Sequence, residues 1–385
     1  MRAIALLLLT ALSLPAADPV PAATDKLAAD LVKQLGHPKY AVRETAAKKL
    51  LNLGSAAVTA LRFGLASPDE EIRSRCETLL PKAQAAEWAR RADTYLAATD
   101  AKRPRNLPLL AEYEAVIGKD KMDAGARELF AEMVRTNGDL LEKVAADRPK
   151  TKAACLARSK IILDDANGGD NKLKAKVGDL AAVLFVQTLE PKATSDATNR
   201  SSPGYLLTNP GMADGIGGKV VGTVFRRLVV RWIETRPAGD RFAQQQFIRA
   251  SQANPFPEAG PSLIRVVRDK KADALTSRTP AIQALGGIKS PEAAAALADL
   301  ISDKTSLFNF GIGQASYLMC DVALAASITM QGKKPEEFGL TNNISFGFNG
   351  GPGEDMMMLT LQGFQNDSDR EKAVKKWKDE SEKKK

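Results

Sequence analysis

The chain has 385 residues, 44% of them hydrophobic and only 5% aromatic, with a formal charge of +9. That length suits two or more domains or one long helical array. The few aromatic side chains count against a large β-sandwich or a ring-lined sugar groove, and three cysteines, Cys76, Cys155 and Cys320, are too few and scattered for a disulfide framework.

Residues 1–22 read as a signal peptide. Arg2 supplies the positive start, Ile4 to Leu14 the apolar run, and small residues follow, with cleavage after Ala16, Ala17 or Ala22. The run is too short for a membrane span, and no cysteine follows it for a lipoprotein anchor. The expectation is an exported protein, periplasmic or extracellular, with no transmembrane segment.

From residue 24 to 83 one pattern occurs twice. Pro38, Val42, Arg43, Ala46 and Leu50 have counterparts in Pro68, Ile72, Arg73, Cys76 and Leu80, each offset by 30 residues. The spacing puts Val42, Ala46, Leu50 and Leu53 on one helical face, and Ile72, Cys76, Leu79 and Leu80 on another. Each proline opens its helix, where a missing N–H costs nothing. A partner helix precedes each copy, with apolar stripes Leu27–Leu31–Leu35 and Ala57–Leu61–Leu65. One such helix pair cannot bury its apolar face alone, so neighbours stack.

These residues resemble the second helix of a HEAT repeat. A 30-residue spacing is shorter than the roughly 40–47 of HEAT and armadillo units. It is closer to the short HEAT-like repeats named after the phycobilisome lyases, although no lyase motif is present. The resemblance implies an α-α superhelix, a HEAT-like solenoid, and a structural role for Arg43 and Arg73, bridging to a neighbouring turn or acid.

Residues 84–256 read as a helical middle region. Helices are expected at 84–100, 107–117, 122–147 with a break at Asn137-Gly138, 156–163, 172–190 and 219–235. The stretch 191–213, rich in Ser, Thr, Asn, Pro and Gly, reads as a long loop. The glycines Gly215, Gly217 and Gly218 open the next helix, but no Gly-Lys-Ser/Thr follows, so a flexible first turn is favoured over a phosphate cradle. Residues 257–339 read as the repeats returning. Arg278, Ala281 and Leu285 keep the spacing of Arg43, Ala46 and Leu50, and Gly313 to Gly332 reads as a further repeat helix. The 340–366 region, with Phe346-Gly347-Phe348-Asn349-Gly350-Gly351-Pro352-Gly353, is expected to be a Gly-rich loop, packed by its phenylalanines through 340–357. Residues 367–385 form a last basic helix, docked through Ala373 and Trp377, and a lysine tail.

The chemistry-bearing residues are sparse. The single histidine, His37, lies in a Gly-His-Pro turn, and no metal-binding spacing or nucleophile elbow appears. The Asp164–Asn171 turn is rich in oxygen ligands but lacks EF-hand spacing. No catalytic, cofactor-binding or metal residue is therefore assigned, and no cofactor. The expected fold is all-α, a solenoid with a helical middle region. The expected function is a non-catalytic scaffold for a protein or peptide partner. The alternatives are an enzyme with chemistry in the middle region or the 340–357 loop, and a binder of anionic polymers or nucleic acid through the basic surplus, which export disfavours.

Overall fold

A computed structural model describes residues 22–167, 175–191, 203–237, 240–309, 316–348 and 357–382. Nearly all of the expected signal peptide, the end of the Asp164–Asn171 turn, the 349–356 glycine-rich tip and the lysine tail lie outside the described residues. The protein is all-α in class, with sixteen α-helices and four short strands among the described residues. No helix there is long and apolar enough to cross a membrane. The chain divides into two compact units between Glu87 and Trp88.

The first unit holds α1 (Ala22–Gln34), α2 (Tyr40–Leu53), α3 (Ser55–Gly64) and the start of α4 (Glu70–Ala97). Helix α1 packs on both α2 and α3. Its core is small: Leu31, Leu35, Ala46, Leu50, Leu61 and Cys76 are its centre. Gly54, with φ 55°, joins α2 to α3 in a conformation that L side chains resist. Gly64 lies so close to α4 that an added Cβ would sit 2.4 Å from the Cys76 sulfur. The outer members of the two expected apolar stripes depart from expectation. Leu27 and Leu65 are exposed, because a four-helix unit has too little interior to cover both ends of each stripe.

The second unit begins with the rest of α4, then α5 (Leu110–Ile117), α6 (Ala124–Ala146), α7 (Thr151–Asn167) and α8 (Val177–Leu189). Helix α8 is the centre: every residue from Gly178 to Thr188 is buried. A helix apolar all round has to be enclosed, and α5, α6 and α7 pack against it. Tyr113 ties this layer together. Its ring packs edge-on to Phe185 at 5.5 Å, and its hydroxyl donates to the Ala126 carbonyl at 3.0 Å. Helix α6 breaks at Asn137, as expected, with φ −141° and ψ 30°. The buried Asn137 amide nitrogen donates to Asp179 Oδ1 at 2.9 Å, and Arg158 donates to the same oxygen at 2.6 Å.

There follow α9 (Gly211–Gly217), α10 (Gly222–Thr235), α11 (Arg241–Ala253), α12 (Gly260–Arg268), α13 (Thr279–Gly286), α14 (Pro291–Asp299), α15 (Met319–Met330) and α16 (Asp367–Glu382). Of the expected 191–213 loop, residues 192–202 lie outside the described residues, and 203–213 are mostly coiled rather than loop. Pro203–Thr208 coils into a 3-10 turn whose Leu206 and Leu207 are buried, and α9 starts at Gly211. Apolar burial overrides the polar composition there. The helix expected from Gly313 starts at Met319.

Four strands were not anticipated: β1 (Ser306–Asn309) pairs with β2 (Ser316–Leu318), and β3 (Asn342–Phe348) with β4 (Met357–Gly363), both antiparallel. The described part of the expected 340–357 loop is thus mostly strand. In β4, buried Leu359 and Leu361 alternate with exposed Thr360 and half-buried Gln362, the pattern of a half-covered ribbon.

Before α13, Asp273 caps the turn Ala274–Arg278, accepting from the Leu275 and Thr276 backbone N–H groups and the Thr276 hydroxyl. The Thr276 N–H and hydroxyl hold the Asp273 carboxyl below its ordinary value of 3.8. Its stabilisation is whole above that value and disappears as pH falls through the lower folded value. Asp273→Asn is expected to flatten that acid limb in denaturant titrations of stability against pH. A limb unchanged in the variant would contradict the assignment.

Candidate functional site

The repeat residues of the first unit are built alike. Pro38 and Pro68 sit exposed just ahead of α2 and α4, while Ala46, Leu50 and Cys76 are fully buried. Val42, Ile72 and Leu80 are half-buried. Arg43 donates to the His37 carbonyl at 2.8 Å and also to the Pro38 carbonyl at 3.1 Å. Arg73 donates to the Ser67 carbonyl at 2.6 Å. Both arginines thus reach the carbonyl six residues back, in the turn before their own helix. A guanidinium satisfies there a backbone acceptor that the helix ladder cannot.

Charge also links the two copies. Arg43 lies 3.1 Å from Glu71, Glu71 accepts from Arg75 at 2.6 Å, and Arg75 reaches Glu44 at 2.9 Å. The hydrogen bond from Arg75 holds the Glu44 carboxyl below its ordinary value. His37 is part of the turn: its Nδ1 accepts the Lys39 N–H at 3.1 Å. Arg43→Ala and Arg73→Ala are each expected to lower unfolding stability by about 1–2 kcal/mol, the worth of a half-exposed charge-assisted bond. Urea midpoints check this, and an unmoved midpoint would contradict it.

The C-terminal copy is built differently. Arg278 is buried, donates to the Val267 carbonyl at 2.9 Å and pairs with Asp303 at 2.9 Å. It therefore closes the end of α12 rather than its own preceding turn. Ala281 and Leu285 are fully buried in α13.

Around this frame the first unit leaves apolar side chains in solvent. Six large ones are exposed among the described residues, and four belong to this smaller unit: Leu27 at 49%, Tyr40 at 64%, Phe63 at 77% and Leu65 at 36%. Sequence periodicity had placed Leu27 and Leu65 in the core and had not singled out Tyr40 or Phe63.

The residues that invite chemical readings have packing roles instead. Cys76, Cys155 and Cys320 are free and buried, and burial pushes the Cys155 and Cys320 thiols up to about 12. Such thiols are poor nucleophiles. Gly215 makes room for the Phe225 ring, whose nearest atom would be 2.5 Å from an added Cβ. Among the described residues no group of three or more His, Cys, Asp or Glu side chains is placed to hold a metal. Compared with protein-family models, characterised proteins and solved structures, the chain matches none.

Proposed function

We propose that the chain is an exported HEAT-like repeat protein that acts as a non-catalytic scaffold for a protein or peptide partner. The observation that carries this reading is the first unit. Two copies of one helix pair each close their turn with the same arginine-to-carbonyl bond and are joined by ion pairs between Arg43, Glu71, Arg75 and Glu44, and among the described residues this small unit holds most of the exposed large apolar side chains. Stacked helix pairs offer extended faces rather than enclosed pockets, and exposed apolar groups on such faces mark contact surfaces when they cluster. Aromatic residues such as Tyr40 and Phe63 are the type that dominates contact energies.

The test is affinity capture from the cell envelope and the secreted fraction, with the Tyr40→Ser/Phe63→Ser double variant as matched bait. Both residues are exposed, so the variant should fold as the parent does. The expected result is a saturable protein partner retained by the parent and lost by the variant. Equal retention by both, or turnover of a small substrate by the purified protein, would overturn the reading.

A further inference from the structure

The ribbon of β3 and β4 has two unlike edges. Its register runs without a break from Asn342 opposite Gly363 to Phe348 opposite Met357. Ser345 stands opposite Thr360, and their hydroxyls lie 3.0 Å apart. The Thr360 carbonyl accepts the Gln283 side-chain amide at 2.8 Å, so it points out of the ribbon rather than toward β3. In an antiparallel pair, opposite residues either exchange both N–H···O bonds or aim their backbone groups outward. Ser345 and Thr360 are therefore a pair of the second kind. The alternation then turns the backbone N–H and C=O of Asn343, Ser345 and Gly347 away from β4.

The outer edge of β4 is occupied. Gln283 bonds to it, and the strand packs beside β2 and α15. β3 pairs with β4 and with no other strand among the described residues. Proteins guard a free edge with lysine, proline, a bulge or a very short strand. β3 has none of these guards. It runs for 7 residues, has no charged residue and no proline, and keeps its register throughout. The β1–β2 ribbon, by contrast, is shorter and loses register between Ser306 and Phe308.

We propose that the free edge of β3 pairs antiparallel with β3 of a second copy of this chain, joining two ribbons into one sheet. A row of outward N–H and C=O groups at every second residue is matched by another extended backbone. Charge favours a second copy as that backbone. The chain carries +9, so most contacts between like surfaces repel, whereas β3 is uncharged along its whole length. A two-fold axis through Ser345 sets Ser345 opposite the partner's Ser345 and Asn343 opposite the partner's Gly347. Each outward group then meets its complement in a single register. Ser345 is exposed, and hydroxyl pairs across strands add to such contacts. The contact uses no residue of the first unit and no outside partner, so it and the scaffold reading can fail separately.

The test is sedimentation velocity on the full chain over a concentration series, with amide hydrogen exchange read at both ends of the series. A reversible monomer–dimer equilibrium is expected. The Asn343 and Ser345 amides should exchange quickly in the dilute sample and slowly in the concentrated one, while Ile344, bonded to β4, is protected in both. Ser345→Lys sets like charges opposite each other across the two-fold axis and is expected to weaken the dimer at least about tenfold. Ser345→Pro removes an N–H that the ribbon itself does not use, and about a tenfold loss is expected there too. It decides the matter if the lysine variant unfolds. Thr360→Lys puts the same charge on the same face but off the free edge, and should leave the dimer unchanged. A monomer at every concentration, a dimer that survives in the folded Ser345 variants, or Asn343 and Ser345 amides that stay fast in the dimer would overturn the proposal.

Discussion

Replacing Gly138 with alanine is expected to destabilise the second unit by about 3 kcal/mol, the upper part of the usual range for overpacking. In a solvent-facing helix the same change would add about 1 kcal/mol of stability, because alanine forms helix better than glycine. The sign reverses here because a Cβ on Gly138 would lie 2.0 Å from the Trp88 ring. Trp88 is 7% exposed, and Arg91 stacks over its ring at 4.6 Å, so the ring has little room to move away. The neighbouring Asn137 has already left helical geometry, held by its bond to Asp179. The break in α6 therefore serves two contacts, an amide turned toward α8 and a backbone laid against an indole. Trp88→Leu in the Gly138→Ala background should recover part of the loss, and a double-mutant cycle by denaturant unfolding measures it. Additive losses would show that the two residues do not share this contact.

The second large effect is expected at the C-terminal helix. Arg370 is buried and donates to Asp321 Oδ1 at 2.6 Å and Oδ2 at 3.1 Å. Asp321 is fully buried and also accepts the Leu318 N–H at 3.0 Å, at the start of α15. Burial pushes the Asp321 carboxyl above its ordinary value against the pull of Arg370. Helix α16 is also held by polar bonds toward its C-terminal half: Gln331 donates to the Ser381 hydroxyl at 2.9 Å, Lys376 donates to the Glu337 carbonyl at 2.7 Å, and Lys333 pairs with Glu380. Arg370 and Ala373 are its buried residues, and Val374 and Trp377 pack partly against Leu324, Ile328, Phe338, Leu340 and Phe364. Asp321→Ala removes the buried carboxylate that pairs with the buried Arg370 guanidinium, at an expected cost of about 3–5 kcal/mol. The loss should be local, with α16 amides exchanging quickly and Trp377 emission shifting red while α6 and α8 stay protected. The paired swap Asp321→Leu/Arg370→Met should be far milder, since apolar replacement of a buried ion pair is often neutral. A mild Asp321→Ala, or a paired swap as damaging as the single change, would contradict this account.

These two contacts show where sequence reading ends. Asn137-Gly138 is legible as a break in a periodic helix, but Trp88, fifty residues earlier in the chain, is not legible as its cause. Asp321 and Arg370 are 49 residues apart, and nothing local pairs them. By contrast, the helices of the first unit follow from local periodicity and from the turn residues Pro38 and Pro68. The matching bonds of Arg43 and Arg73 lie within six residues of each arginine, so a repeat in sequence becomes a repeat in structure. The ribbon of β3 and β4 went unread for the opposite reason. Glycines at 347, 350, 351 and 353 signal a break in any local reading, while pairing with Met357–Gly363 is a contact between segments. The exposed side chains were missed because periodicity ranks faces without knowing which face has a neighbour. Leu27 and Leu65 fit their stripes and still end in solvent.

The central claim, that the first unit presents a partner-binding face, is tested most directly by site-specific photocrosslinking. A benzophenone amino acid placed at Phe63, and separately at Tyr40, keeps an aromatic side chain where one already stands in solvent. The same group at the exposed polar position Glu77 of α4 serves as control. The account predicts discrete, saturable protein adducts from positions 63 and 40 in the envelope or secreted fraction, and none from position 77. Equal labelling from all three positions, or no adduct from 63 and 40, would contradict it.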